Sequence, residues 1–211
     1  MLAIVGDLHG NVPAIRDIDE RISKNSEVTA VIQVGDWGWY SFTIERFKRL
    51  NLKLPWYWID GNHEDHRLLS NFTEVTEIFP NQFFVPRGTV LELDGRKIAF
   101  MGGSGSVDKE FNADWSSGED ISKEDISRLD NVKDIDLFIT HCPPQWFIQK
   151  HFNPMDLLMF GLSITWKDRN ADIIESLSKK LNDPKLYCGH MHRSIEDGNV
   201  KLLDIEEIVY I

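Results

Sequence analysis

Short blocks of consecutive apolar residues recur along the chain, and each stops at a polar corner. Leu2–Val5 runs into Gly6-Asp7, Ala30–Val34 into Gly35-Asp36, and Trp56–Ile59 into Asp60-Gly61-Asn62-His63. Further on, Leu137–Thr140 stops at His141 and Leu186–Cys188 at Gly189-His190. Runs of this length, rich in Val, Ile and aromatic residues and bounded by turn signals, predict buried strands. Elsewhere the apolar spacing changes to three and four. Val12, Ile15, Ile18 and Ile22 mark a helix over Asn11–Lys24, with Asn11 as N-cap and Pro13 in its first turn. Phe42–Leu50 and Ala171–Leu181 read as helices, and Ser122–Leu129 as a short one opened by a Ser122/Asp125 capping box.

Val90–Leu93, the turn Asp94-Gly95 and Lys97–Met101 predict a β-hairpin. Lys201–Leu203 and Ile208–Ile211 predict further strands. The first half thus alternates strand and helix, and the second half is expected to be richer in strand. Two packed sheets flanked by helices accommodate such a series. Gly102–Gly118 and His151–Asn170 lack periodicity and read as long loops, a common location for specificity determinants.

Length and composition narrow the class. A chain of 211 residues suits one domain spanning 1–211. Hydrophobic residues at 42% and charged residues at 27% exclude wholesale disorder. Net charge is −11, from 23 Lys and Arg against 34 Asp and Glu, which argues against a broad basic face for duplex nucleic acid. A small anionic substrate remains compatible, because bound cations can supply the missing positive charge. Two cysteines, Cys142 and Cys188, make no disulfide framework and read as buried small residues. No apolar run reaches membrane-spanning length, and Met1 leads straight into the first strand without a signal-peptide pattern. The expectation is a cytoplasmic protein without a membrane partner.

The chemistry gathers at the strand ends. His9, His63, His141, His190 and His192, with Asp7, Asp36 and Asn62, all lie just past a predicted strand. In α/β sheets that edge is the ligand crevice. In Asp7-Leu8-His9 and His190-Met191-His192, residues two apart on extended chain face the same way, so each pair can reach one ion. A carboxylate such as Asp36 has two oxygens and can bridge two ions. Nitrogen and oxygen donors without thiolate suit Mn, Fe or Zn. Each motif alone is common; the weight lies in all five occurring in order.

Gly6-Asp7-Leu8-His9, Gly35-Asp36, Gly61-Asn62-His63-Glu64, Thr140-His141 and Gly189-His190-Met191-His192 together resemble the calcineurin-like metallophosphoesterases. The resemblance implies an α/β fold, a four-layer αββα sandwich of two mixed sheets flanked by helices. It also implies two divalent metal ions, Mn first, with Fe, Zn, Ni or Co as alternatives. By matching position, Asp7, His9 and His192 would hold the first metal, Asn62, His141 and His190 the second, and Asp36 would bridge them. His63 would stand beside the centre as the acid that protonates the leaving oxygen, while water activated between the cations attacks phosphorus.

Protein Ser/Thr phosphatases share the first and third motifs, but their second continues Gly-Asp-X-X-Asp-Arg-Gly. Here Trp39 and Tyr40 occupy the Asp and Arg positions. The ending Gly189-His190-Met191-His192 and the run Gly102–Lys109 look more like small bacterial and phage phosphodiesterases, which act on small phosphodiesters including cyclic nucleotides. A phosphodiesterase is therefore expected. A phosphomonoesterase or protein phosphatase is the alternative, and a metal-binding scaffold without catalysis is the reading from another class. For the substrate, Trp37, Trp39 and Tyr40 offer a stacking wall, and Arg67 and Arg193 offer phosphate contacts. Against these stand core packing for the aromatics and surface salt bridges for the arginines. Trp56 and Trp58 read as core.

Overall fold

A computed structural model describes residues 1–106, 117–159, 163 and 167–211. Twelve strands among them form two six-stranded sheets. The first has the order β12-β1-β2-β3-β5-β4 and the second β10-β11-β9-β8-β7-β6. The first is built from β1 (Leu2–Val5), β2 (Ala30–Gln33), β3 (Trp56–Trp58), β4 (Thr76–Phe79), β5 (Gln82–Phe84) and β12 (Ile208–Tyr210). The second comprises β6 (Thr89–Leu93), β7 (Arg96–Met101), β8 (Leu137–Thr140), β9 (Lys185–Cys188), β10 (Ile195–Asp197) and β11 (Val200–Leu202). Four central strands run parallel in each sheet: β1, β2, β3 and β5 in one, β7, β8, β9 and β11 in the other. Antiparallel strands close both edges of each sheet.

Alternation along the strands explains the layers. Leu2, Ile4, Ile32, Ile98, Phe100, Ile139 and Tyr187 pack with one another between the sheets. Their neighbours Ala3, Val5 and Val31 belong instead to a cluster with Ile15, Ile18 and Ile22 of the helix Val12–Ile22 (α1). Ala99, Phe138, Leu186 and Cys188 pack with Ala171, Ile174 and Leu177 of the helix Arg169–Lys180, here α7. Strands buried on both faces read as near-continuous apolar runs, as β1 does, while β2 interrupts its run with Gln33, whose buried amide donates to Gly6 O. The result is helix, sheet, sheet, helix: the four-layer sandwich expected.

Local chemistry sets the element boundaries. Asn11 caps α1 by accepting the Ala14 N–H, and Pro13 sits in its first turn. The Ser122/Asp125 capping box forms as read, at the start of α4 (Lys123–Ser127). In the β6–β7 hairpin, Asp94 and Gly95 both take positive φ, 52° and 71°, as a two-residue turn between right-twisted strands requires.

Three expectations change. The helix read over Phe42–Leu50 shrinks to α2 (Ile44–Phe47), because the Thr43 hydroxyl bonds Gly38 O and Tyr40 N and holds residues 38–43 in a turn. The second half is not the strand-rich one: β1 to β7 all precede residue 102. The short β4 and β5 escaped notice because neither is a continuous aliphatic run, and Gln82 in β5 is buried only by donating to Phe47 O. Part of the two irregular stretches is helical: α5 (Gln145–His151) ends at the start of one, and α6 (Pro154–Met159) lies within it. A further α-helix, α3, is His66–Leu69. Much of the segments 102–118 and 151–170 lies outside the described residues, so their proposed part in specificity has no structural account. No helix among the described residues is long and apolar enough to cross a membrane.

Candidate metal centre

Every candidate ligand lies just beyond the C-terminal end of a parallel strand. Asp7 and His9 follow β1, Asp36 follows β2, and Asn62 follows β3 in the first sheet. His141 follows β8, and His190 and His192 follow β9 in the second. Stacking the two sheets brings these ends together. Ligand atoms of Asp7, His9, Asp36 and His192 all lie within 4.8 Å of one another. Asp7, Asp36 and His141 are buried, whereas His9 and His192 are exposed at the rim.

The contacts spread outward from Asp36. Its Oδ2 lies 3.6 Å from His9 Nδ1 and its Oδ1 3.4 Å from His141 Nε2. On the first side, His9 Nε2 and His192 Nε2 are 3.0 Å apart, and His192 Nε2 is 3.3 Å from Asp7 Oδ2. On the second, His141 Nε2 is 3.3 Å from Asn62 Oδ1, and the His141 and His190 rings stand edge to face at 5.1 Å. One carboxylate thus faces two donor groups, one with each oxygen. His141 Nδ1 donates to Val34 O at 2.9 Å, which leaves Nε2 as the nitrogen turned to the centre.

This donor set fits divalent cations. Asp7 Oδ1 is buried with no hydrogen-bond partner, a costly state unless a positive group meets it. Two imidazole nitrogens about 3 Å apart match neighbouring positions around an ion with metal–nitrogen bonds of about 2.0–2.1 Å. Excess negative charge also marks the site. Burial opposes a charge on His141, but Asp36 and Asp7 outweigh it and push its pKa up to about 10. Burial, and then His141 beside it, hold His190 down at about 4.

Sequence and backbone geometry interlock at the corners. His9, Asp36, His190 and His192 are all non-glycine residues with positive φ, at 46°, 56°, 74° and 47°. Such strain concentrates at functional sites. The glycines of the motifs also make room for ligands from neighbouring strands. A Cβ on Gly35 would come within 2.4 Å of His141 Nδ1, one on Gly61 within 2.0 Å of Asp36 Oδ1, and one on Gly189 within 1.9 Å of Asp7 Oδ1.

His63 is exposed, its ring 5.1 Å from that of His9, and its backbone N–H donates to Asp36 Oδ1 at 2.9 Å. Among the described residues no carboxylate is hydrogen-bonded to its ring. The supporting residues were not singled out from sequence. Glu64 accepts the N–H groups of Trp37, Gly38 and Trp39 at 2.7–3.0 Å and so clamps the loop that carries Asp36. Its signal was present, since it is the last residue of Gly-Asn-His-Glu. Behind Asn62, buried Asp60 pairs with Arg87, and His66 Nε2 lies 3.1 Å from Gly61 O. Nothing in their spacing announces that network.

The stacking wall read from Trp37 and Trp39 is corrected. Both are buried, packed against Phe47 and Trp58, because the Glu64 clamp turns the loop inward. Trp56 and Trp58 are core as read. Tyr40 is half-buried and stacks on Phe42. Arg67 is 88% exposed and paired with Asp65, while Arg193 lies over the Phe152 ring at 5.0 Å. Cys142 and Cys188 are buried free thiols, and Cys142 donates to Asp168.

The sequence model of the calcineurin-like phosphoesterases matches residues 1–194, and the chain belongs to that family of phosphoester hydrolases. A solved structure described as a novel archaeal phosphodiesterase is similar at TM-score 0.42 and 16% identity, over 96% of this chain and 81% of that one. No curated protein matches the chain.

Proposed function

We propose that the chain hydrolyses phosphodiesters with two divalent cations, Mn first among them, held by Asp7, His9 and His192 on one side, Asn62, His141 and His190 on the other, and Asp36 between. The observation that carries this is the convergence of Asp7, His9, Asp36 and His192, whose ligand atoms lie within 4.8 Å of one another, with a buried Asp7 oxygen that has no hydrogen-bond partner. Cations there would polarise phosphate oxygens and make water a nucleophile at neutral pH. The chain's own residues do the rest. Buried Asp7 and Asp36 fix the charge that retains the cations. His141, anchored through Nδ1, offers a nitrogen that cannot swing away. Exposed His63, beside His9 at the rim, gives a proton to the departing oxygen.

Diesters are favoured by what surrounds the centre. A monoester dianion calls for an additional side-chain cation, whereas a diester carries one charge. The position where the protein phosphatases carry arginine is Tyr40, stacked on Phe42, and Arg67 is paired with Asp65. The test compares bis(p-nitrophenyl) phosphate with p-nitrophenyl phosphate, each with Mn and with chelator. Mn-dependent turnover with a higher kcat/KM on the diester is expected. Monoester-only turnover would sink the diester preference, and metal-loaded protein inert toward both would point to a scaffold.

A further inference from the structure

With Trp37 and Trp39 in the core, the next aromatic residues on the loop that follows Asp36 are Tyr40 and Phe42. Phe42 is 72% exposed, an unusual state for so large an apolar ring. It stacks on Tyr40 with centroids 5.1 Å apart and planes 7° from parallel. The turn that carries the pair is tied to both ligand-bearing loops beside it. Gly10 N donates to Trp37 O at 2.9 Å and His9 N to Asp36 O at 2.7 Å. On the other side, Asp65 N donates to Trp39 O at 2.8 Å, two residues past His63. Thr43 fixes the turn from within, accepting from Tyr40 N at 2.9 Å and donating to Gly38 O at 2.8 Å. The pair therefore sits on a turn that is pinned by backbone hydrogen bonds to the loops that follow β1 and β3.

We propose that Tyr40 and Phe42 form a shelf on which an aromatic group of the substrate stacks, which makes the substrates phosphoesters that carry a nucleobase or a similar ring. This rests on the phosphodiester-hydrolase reading of the adjoining centre. Aromatic rings offer every base a flat apolar face whatever its hydrogen-bonding edge, so the shelf selects for a ring and not for one base. A surface already ordered before binding loses little entropy when the ring arrives. Phe42 contributes little to the core, being exposed, whereas Phe47 is the fully buried phenylalanine of that segment. Its replacement therefore tests the shelf without dismantling the fold.

The experiment uses Mn-loaded full-length protein. Competitive inhibition of bis(p-nitrophenyl) phosphate hydrolysis is measured for adenosine 5′-monophosphate and for ribose 5-phosphate, which lacks the ring. Wild-type protein should bind the nucleotide at least about tenfold more tightly. Phe42→Ala should bring the two constants together, and Phe42→Trp should keep them apart. Equal inhibition by both in the wild type, or a gap that survives Phe42→Ala, overturns the shelf. So does a change in sedimentation of Phe42→Ala with the gap intact, which would make Phe42 a contact between copies. If the wild type hydrolyses no phosphoester, it is the parent reading that fails. Calorimetric titration of the same two ligands then decides the shelf on its own.

Discussion

Asp36 and His63 lie close together but are expected to fail differently. A general acid contributes roughly 10²–10⁴-fold to rate, so His63→Ala should retain its metal content and lose turnover by at least about a hundredfold on an alkyl ester. The loss should be smaller on a nitrophenyl ester, whose leaving group departs without a proton. Metal analysis beside kcat on both esters checks this; full activity on the alkyl ester removes His63 from the chemistry. Gly61→Ala makes the opposite test. Its methyl group would meet Asp36 Oδ1 at 2.0 Å, so metal content should fall while the far-ultraviolet circular dichroism is unchanged. Retained stoichiometric metal would show that Asp36 can yield without harm.

The loop that carries Asp36 is a small element with one anchor. Glu64→Gln keeps the size of the side chain but turns an amide NH2 toward at least one of the three backbone N–H groups. Leaving buried polar groups unsatisfied costs about 1–3 kcal/mol, and denaturant unfolding should show a loss of that order. Mn affinity should fall with it, because the clamp and the ligand share one loop. Unchanged affinity would mean that Asp36 holds its place unaided. Glu64 also marks the limit of what the sequence disclosed. The strand ends and their candidate ligands were legible because each motif follows an apolar run, and Asp7-Leu8-His9 and His190-Met191-His192 each set two metal-binding side chains two residues apart. The clamp was not, because a carboxylate that bonds backbone N–H groups has no spacing rule. The aromatic turn misled for a related reason. Trp37-Gly38-Trp39-Tyr40 looks the same in sequence whether its rings face solvent or core, and the packing of Trp37 and Trp39 on Phe47 and Trp58 has no local signal. Phe42 opens the stretch that reads as a helix, yet the helix begins only at Ile44.

Across the whole molecule, buried charge ties the layers together away from the centre. Asp60 follows β3, and Arg87 precedes β6 in the other sheet. Burial works against the Asp60 charge, and Arg87, then His66, outweigh it and hold the carboxyl well below the usual carboxylate range. A depressed carboxylate contributes stability above its unfolded-state pKa of about 3.9, and that contribution is lost as pH falls through and below this value. Asp60→Asn should therefore flatten the acid side of the stability profile below about pH 4 and leave the profile's shape near neutrality unchanged. Arg87→Ala should cost about 3–5 kcal/mol near neutral pH, since it strands a buried charge. Chemical denaturation across pH reads both, and an acid limb equally steep in Asp60→Asn would clear Asp60 of any part in it.

The meeting of His9 with His192 across 183 positions of sequence has a consequence for how the protein comes into being. Cations held between β1 and β9 would act as a staple joining early chain to late chain, closing a very long loop. The first half, with Asp7, His9, Asp36 and Asn62 in place, would offer cations only half of the proposed cage. A ribosome would therefore have to deliver residue 192 before such a centre could be whole, and loading with metal would be a late event that seals the two sheets rather than a seed around which they gather.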